Sequence, residues 1–389
     1  MSLTPDAERA IEDALATGRA ILKFISRNNV GDTGSHECGY YLPKHAWQLF
    51  TSIPPVKGKN GKANVRVIWS NGLVTDSCVT WYGTGTRREY RLTRFGKDFP
   101  YLDRENVGSL LIIVPRSYEL FHAYVLDFDE DMEAVQAALG VQVLNKIGVY
   151  ERGLIQPPET EDECVERHFS EFLKTIADFP SPTDVSLAAR NALENCLKDL
   201  GARPLDDRLI TAVEAEYRLF RLVERKICSP QVTQVFPDID AFLQTAQTIL
   251  QRRKARAGLA FQNQVQHLFQ VAKLPHEAQP PIDGRPDFIF PSSAAYRDAS
   301  YPPDKLIALA LKTTCKDRWR QVLEEAKRVP TKHLLTLQPG ISVNQLKEMK
   351  AANVVLVVPK PLQKDYNVKD SAAPVLSLEE FTKKARFLS

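Results

Sequence analysis

From about Asn64 to Asp127, apolar and polar residues alternate in short runs, "NVRVIWS", "CVTWYG", "EYRLTRF", "SLLIIVPR" and "LFHAYVLD", parted by Asn, Gly, Thr and Lys turns. A period of two bounded by turn residues predicts strands, and their succession predicts an antiparallel barrel or sandwich. Helical pieces are predicted at residues 5 to 25 and near "KHAWQLF". The acidic, Pro-containing "LIQPPETEDEC" then predicts an exposed connector. Residues 165 to 255 switch to helical periodicity, as in "DDRLITAVEAEYRLFRLVERKI" and "DIDAFLQTAQTILQRRKARAG". From about Gly258 helices ("LAFQNQVQHLFQVA", "DRWRQVLEEAKRV", "SVNQLKEMKAA") and strands ("PDFIF", "KLIALALKT", "HLLTLQ", "VVLVVP") intermingle, which predicts an α/β domain with a mixed central sheet. The expected division is a β-rich domain over 1–155, a linker over 156–180 and a second domain over 181–389.

A chain of 389 residues suits two domains, each with its own core. Its apolar and charged fractions, 43% and 25%, are those of a soluble globular protein, and no apolar run approaches the roughly 20 residues of a membrane helix. The start "MSLTPDAERAIEDALATGRAILKFI" lacks the basic, apolar, small-residue order of a signal peptide, so a cytoplasmic location is expected. Cys38, Cys78, Cys164, Cys196, Cys228 and Cys315 show neither CxxC nor Cys/His ligand spacing. Reduced thiols and no structural zinc are the expectation. A net charge of +3 does not announce nucleic acid by itself, because acidic runs such as "ETEDECVE" and "DFDEDMEA" offset basic clusters.

The chemistry gathers near the end of the predicted strands. Asp287 opens the apolar "DFIF", and Leu306, Ala308, Ala310 and Lys312 share one strand face by the period of two, so an apolar row ends in an ammonium. An Asp and a Lys at paired strand ends suit metal-dependent phosphodiester hydrolysis, the Asp holding a divalent cation and the Lys beside the attacking water. A second acid two residues before Lys312 would complete a PD-(D/E)xK pattern, but Ala310 stands there. On a helix starting near Asp317, Arg318 and Glu325 roughly share a face, which favours Glu325 as the replacement, while Glu324 pairs with Arg320. Lys316, Asp317, Arg318 and Arg320 form a polar cluster at that helix start, with side chains suited to guanine and cytosine edges.

These residues resemble the EcoRII family of type II restriction endonucleases, a branch of the PD-(D/E)xK nucleases. The resemblance rests on "RRKARAG", "RPDFIFPSSAAY", "LALKTTCKDRWRQVLEEA", "HLLTLQPGIS" and "VVLVVP" over about residues 216 to 360. It extends to the N-terminal half through "NNVGDTGSHECGYYLP" and "REYRLTRFGKDFPYLDRENVGSLLIIV", which are similar to the family's B3-like effector domain. It implies that Asp287 and Glu325 bind Mg2+, that Lys312 is the catalytic lysine, and that Tyr296 lies near the active centre. Lys316, Asp317 and Arg318 match the family's reading triplet for the CC:GG part of the site. Gln262 replaces a family Glu, which leaves open whether one metal or two is bound. In the effector domain the implied DNA-binding residues are Lys23, Asn29, His36, Tyr41, Arg87, Arg88, Glu89, Arg91 and Arg94. A family pocket for the central base uses an Arg where this chain has Val213, with Arg208 and Arg218 nearest, so the central base is left open.

The expected function is Mg2+-dependent double-strand cleavage of a short pseudo-palindromic CC(N/W)GG-like DNA site by a homodimer. A second site copy on the N-terminal domain would activate it, and a cognate cytosine methyltransferase would protect the host DNA. The competing reading is a sequence-specific DNA-binding regulator whose nuclease fold has lost activity, which Gln262 and Ala310 allow. A Ser/His hydrolase finds no support, since GxSxG is absent.

Overall fold

The first helix stops earlier than its periodicity predicts. Helix α1 (Pro5–Thr17) is capped by the Thr4 hydroxyl and ends where Gly18 adopts a φ of 73° and returns its N–H to the Ala14 carbonyl. A left-handed residue of this kind closes a helix, so Arg19–Phe24 leaves as strand β1 instead of extending the predicted helix to residue 25. The computed structural model describes residues 3–33, 38–84, 88–144, 147–153 and 163–388, in two units. Met1–Gln156, Gln338–Lys347 and Leu362–Ala372 form the first; Pro157–Leu337, Glu348–Pro361 and Ala373–Ser389 form the second.

In the first unit, β1 is joined by β2 (Tyr40–Leu42), β3 (Gly61–Trp69), β4 (Val74–Tyr82), β5 (Glu89–Thr93), β6 (Leu110–Pro115), β7 (Leu120–Leu126) and β8 (Gly148–Glu151). The sheet order is β2-β5-β4-β3-β7-β6-β1-β8, antiparallel except for the β3–β7 pair. One face gathers Tyr40, Trp69, Trp81, Tyr90 and Phe121, with residues from β1 to β7, into a single core. A sheet that brings seven strands to one cluster must curl around it. Alternate residues on the other face, such as Leu22, Ile112 and Val114, pack against α1 and α2 (Asp129–Leu139). The run "DFDEDMEA" thus has a structural use, because Asp129, Glu130 and Asp131 occupy the first turn of α2, where negative charge is favoured. "KHAWQLF" forms a 3-10 helix, Lys44–Leu49. Two short parallel strands, Gly340–Ile341 and Asp365–Tyr366, also belong to this unit. Gln338 Nε2 donates to the Gly108 carbonyl at 2.9 Å, and the Tyr366 hydroxyl donates to the Gln338 carbonyl at 2.7 Å.

The second unit begins with α3 (Glu163–Thr175), which falls inside the expected linker, followed by α4 (Pro182–Cys196), α5 (Leu205–Thr233) and α6 (Ile239–Val271). Helix α6 merges two predicted helices into one of 33 residues. Val165 and Phe169 of α3 pack with Val185, Ala189 and Ala192 of α4. This packing brings Cys164 and Cys196, 32 residues apart in sequence, into a disulfide with a Cα–Cα separation of 5.7 Å. It corrects the expectation of reduced thiols for this pair, which sequence spacing does not reveal. Strands β9 (Glu277–Ala278), β10 (Phe288–Phe290), β11 (Ile307–Lys312) and β12 (Lys332–Thr336) continue into Val354–Val357 and Val375–Leu376. β9, β10 and β11 run antiparallel, while β11, β12 and the last two strands run parallel, giving the expected mixed sheet. Among the described residues no helix is long and apolar enough to cross a membrane.

Candidate active site

The pairing of β10 with β11 sets Phe288 opposite Leu309 and Ile289 opposite Ala308, so Asp287 comes level with Ala310. On that face Ile289, Leu306 and Ala308 pack with Tyr296, Ala326 and Val329. Beyond this apolar patch the same face turns polar: Asp287 immediately precedes β10, Lys312 ends β11, and Glu325 adjoins the buried Ala326. Asp287 is held at two points, its Oδ2 accepting the Leu311 N–H at 2.6 Å and its carbonyl accepting the Gln279 N–H at 2.8 Å. Burial raises the Asp287 pKa above the usual carboxylate value, against the pull of the Leu311 N–H and Lys312. Burial likewise pushes Glu325 up to about 7; Lys312 opposes this and the charge of Asp287 adds to it. Asp287, Lys312 and Glu325 are therefore brought into mutual electrostatic reach.

Glu325 reaches this place by a different route from the one its helical phase suggested. Arg318–Glu324 is a 3-10 helix, and Glu325 follows it in extended conformation (φ −84°, ψ 141°). At three residues per turn the shared face of Arg318 and Glu325 disappears. Glu324 pairs with Lys327 at 3.3 Å, and Arg320 pairs with Glu348 at 2.6 Å and lies over the Trp319 ring, so the expected Glu324–Arg320 pair is also corrected. Nor is the polar cluster wholly exposed, since Lys316 is buried, Asp317 and Arg318 are half-buried, and Arg320 is exposed. Arg318 Nη2 donates to Thr314 Oγ1 at 3.3 Å, which ties it to the segment leaving β11.

Gln262 lies on α6 and accepts from Gln279 Nε2 at 3.0 Å, so one glutamine links it to the Asp287 backbone. Tyr296 is buried, and its hydroxyl donates to Asp283 Oδ1 at 2.5 Å and accepts the Arg328 N–H at 3.2 Å. Sequence reasoning missed Asp283, Gln279 and Lys332, which surround the set. The Asp-Gly pair at 283–284, a turn dipeptide, is the one signal that pointed there.

In the first unit, His36 and Arg87 lie outside the described residues. Asn29 is fully buried, its Nδ2 donating to the Gly39 carbonyl at 2.8 Å and its Oδ1 accepting from Ser26 N and Oγ. In this structure it braces the loop that links Ser26 to Gly39. Arg91 is buried as well, bonded to Glu89 at 2.8 Å and to the Tyr41 hydroxyl at 2.6 Å. Lys23 is buried over the Tyr41 ring; burial lowers its pKa to about 7, Asp365 opposes this, and Lys364 and Arg91 add to it. Arg88 bonds the Gly83 carbonyl at 2.7 Å, and Arg94 is exposed with a φ of 68°.

Two family models match the chain, "Restriction endonuclease EcoRII, N-terminal" over residues 16–153 and "EcoRII C terminal" over residues 220–382. The type II restriction enzyme EcoRII of Escherichia coli is 30% identical over 368 residues, which covers 89% of this chain and 88% of that enzyme. Among solved structures, metal-depleted Ecl18kI in complex with uncleaved, modified DNA is 20% identical, with a TM-score of 0.44 over 59% of this chain and 85% of that one. The PspGI–substrate DNA complex is 12% identical, with a TM-score of 0.46 over 54% of this chain and 93% of that one. On the sequence matches, which span both halves, the chain belongs to the EcoRII family of type II restriction endonucleases.

Proposed function

We propose that this site-specific deoxyribonuclease hydrolyses both strands of a short pseudo-palindromic CC(N/W)GG-like site with Mg2+, the active centre being Asp287, Glu325 and Lys312. The observation that carries the reading is the convergence of two carboxylates and one ammonium at the polar end of a single sheet face. The donors fit such an ion: carboxylate oxygens are hard ligands, and burial holds both acids towards their neutral forms, which a divalent cation would reverse. When bound, Mg2+ supplies Lewis-acid stabilisation of the phosphoryl charge. Asp287 and Glu325 would hold it. Lys312 orients the attacking water and steadies charge on a non-bridging oxygen, and in-line displacement leaves 5′-phosphate and 3′-hydroxyl ends. Lys316, Asp317 and Arg318 read the CC:GG edges in this scheme. A symmetric site calls for a homodimer, each protomer cutting one strand.

The curled N-terminal sheet is read as a B3-like effector domain for a second site copy. Lys23, Tyr41 and Arg91 would serve that copy, yet Lys23 and Arg91 are buried, with Lys364 and Asp365 of the 362–372 segment acting on Lys23. Binding there would require Lys23 and Arg91 to become accessible. A cognate cytosine methyltransferase is the expected companion of such an enzyme.

Duplex libraries varied around CCNGG test the reading. Incubation with Mg2+ and sequencing of the ends should give cuts confined to CC/GG-flanked centres, and cleavage of single-site DNA should rise several-fold when an uncleavable site duplex is added. Cleavage without sequence preference would overturn the specificity, and indifference to the added duplex would overturn the effector role. A further expectation concerns Gln262. Its link through Gln279 places it beside Asp287, so Gln262→Glu should lower the Mg2+ concentration for half-maximal cleavage by about tenfold, the usual scale for groups supporting a metal site. An unchanged Mg2+ titration would remove Gln262 from the metal's surroundings.

A further inference from the structure

We propose that Asp283 is a positioning residue for Glu325, clamping the turn that carries it against the strand ends bearing Asp287 and Lys312. Three bonds converge on Asp283. Its carbonyl accepts the Ala326 N–H at 2.9 Å, its Oδ2 accepts the Lys327 N–H at 2.6 Å, and its Oδ1 takes the Tyr296 hydroxyl proton at 2.5 Å. The same hydroxyl accepts the Arg328 N–H, so three consecutive backbone amides after Glu325 are fixed by Asp283 and its tyrosine. On the far side of the turn, Lys332 Nζ donates to the Ala326 and Val329 carbonyls, both at 2.7 Å. Gly284 closes the contact: with a φ of 69°, a Cβ there would stand 2.5 Å from Glu325 Cα and 2.7 Å from the Glu324 carbonyl oxygen.

The turn needs such a clamp. Glu325 follows a 3-10 helix in extended conformation and Ala326 takes a φ of 44°, so no regular ladder fixes the acid's position. Burial and the nearby Asp287 charge act against an ionised Glu325. Bonds to the amides that follow hold it in place at a point where charge repulsion works to move it. Burial raises the Asp283 pKa, but the Tyr296 hydroxyl and the Lys327 N–H outweigh this and hold it below the usual carboxylate value. Both side-chain oxygens of Asp283 are engaged as acceptors in the clamp. Tyr296, implied to lie near the active centre, acts in this arrangement through Asp283 rather than on the scissile phosphate.

The inference rests on Glu325 as the second metal-holding carboxylate. Asp283 lies at the surface, outside the apolar cluster, so its substitution leaves the core untouched. The test compares Asp283→Ala, Asp283→Asn and Glu325→Gln in the full-length protein, reading Mn2+ binding by electron paramagnetic resonance, cleavage kinetics, thermal melting and metal-free binding of site DNA. Asp283→Ala should weaken Mn2+ binding about tenfold and lower kcat ten- to a hundredfold, with melting temperature and metal-free DNA affinity close to wild type. Asparagine, which can still bond both the tyrosine and the Lys327 amide, should recover much of both losses. Wild-type Mn2+ binding in Asp283→Ala, or equal defects in the Ala and Asn variants, would overturn the clamp. Glu325→Gln separates the two ideas: normal Mn2+ binding and cleavage there would overturn the site assignment, whereas a dead Glu325→Gln beside a normal Asp283→Ala would overturn the clamp alone.

Discussion

Asp287→Ala is expected to lower Mg2+-dependent cleavage of supercoiled site plasmid on the order of 10³-fold, while metal-free binding of the same DNA stays equal to or tighter than wild type. The size follows from the several kcal/mol of charge stabilisation that a held cation contributes, at about 1.4 kcal/mol per tenfold in rate. Asp287 is the acid whose place is set most firmly, by the Leu311 N–H on one side and the register with Ala310 on the other. Removing it would take away the proposed metal ligand, at the cost of one bond from the Leu311 N–H. Binding should not suffer, because a carboxylate at the strand end repels the phosphate when no cation lies between them. Lys312→Ala should behave in parallel, with cleavage lost by about 10²- to 10³-fold and DNA still bound, as expected for a group that stabilises developing charge. Nicking and linearisation with time, alongside a gel-shift titration in chelator, measure both quantities. Cleavage that survives Asp287→Ala would overturn the site assignment.

The parts of this site that were legible in the sequence are those governed by the period of two. Leu306, Ala308, Ala310 and Lys312 share a face because strand geometry leaves them no alternative, and the pairing with β10 then puts Asp287 alongside. Glu325 was legible as a residue but not as a geometry. Its helical phase pointed to a face shared with Arg318, whereas a 3-10 helix and an extended residue deliver it, held by tertiary bonds to Asp283 that lie some forty positions away along the chain and leave no periodic trace. The N-terminal surface presents the opposite case. Lys23, Asn29 and Arg91 have the side-chain chemistry of DNA contacts, yet burial turns Asn29 into a loop brace and sets Lys23 and Arg91 on Tyr41. Chemical type was visible there, and solvent access was not. The Cys164–Cys196 disulfide was hidden for a related reason, since it depends on α3 packing on α4 through Val165 and Phe169.

The second large effect expected is on reading rather than cutting. Arg318→Ala should weaken metal-free binding to site DNA by about 10- to 100-fold, the equivalent of the 1–3 kcal/mol a guanidinium gains from a guanine edge, with little change on duplex lacking the site. The residue is suited to this because it is half-buried and joined to Thr314, two positions beyond Lys312, so its fork is presented at a fixed offset from the centre that cuts. Arg320 is the internal control. Its guanidinium is exposed, paired with Glu348 and laid over Trp319, and Arg320→Ala should cost binding less than Arg318→Ala does. Competition titrations with site and non-site duplexes at two salt concentrations distinguish the possible roles of Arg318. Equal weakening on both duplexes, with a salt slope reduced by about one, would make it a phosphate contact and move base reading elsewhere. Selective weakening on the site alone would mean that the fourteen-residue stretch from Lys312 to Glu325 carries recognition and hydrolysis together, so that a misread base also misplaces the groups proposed to cut.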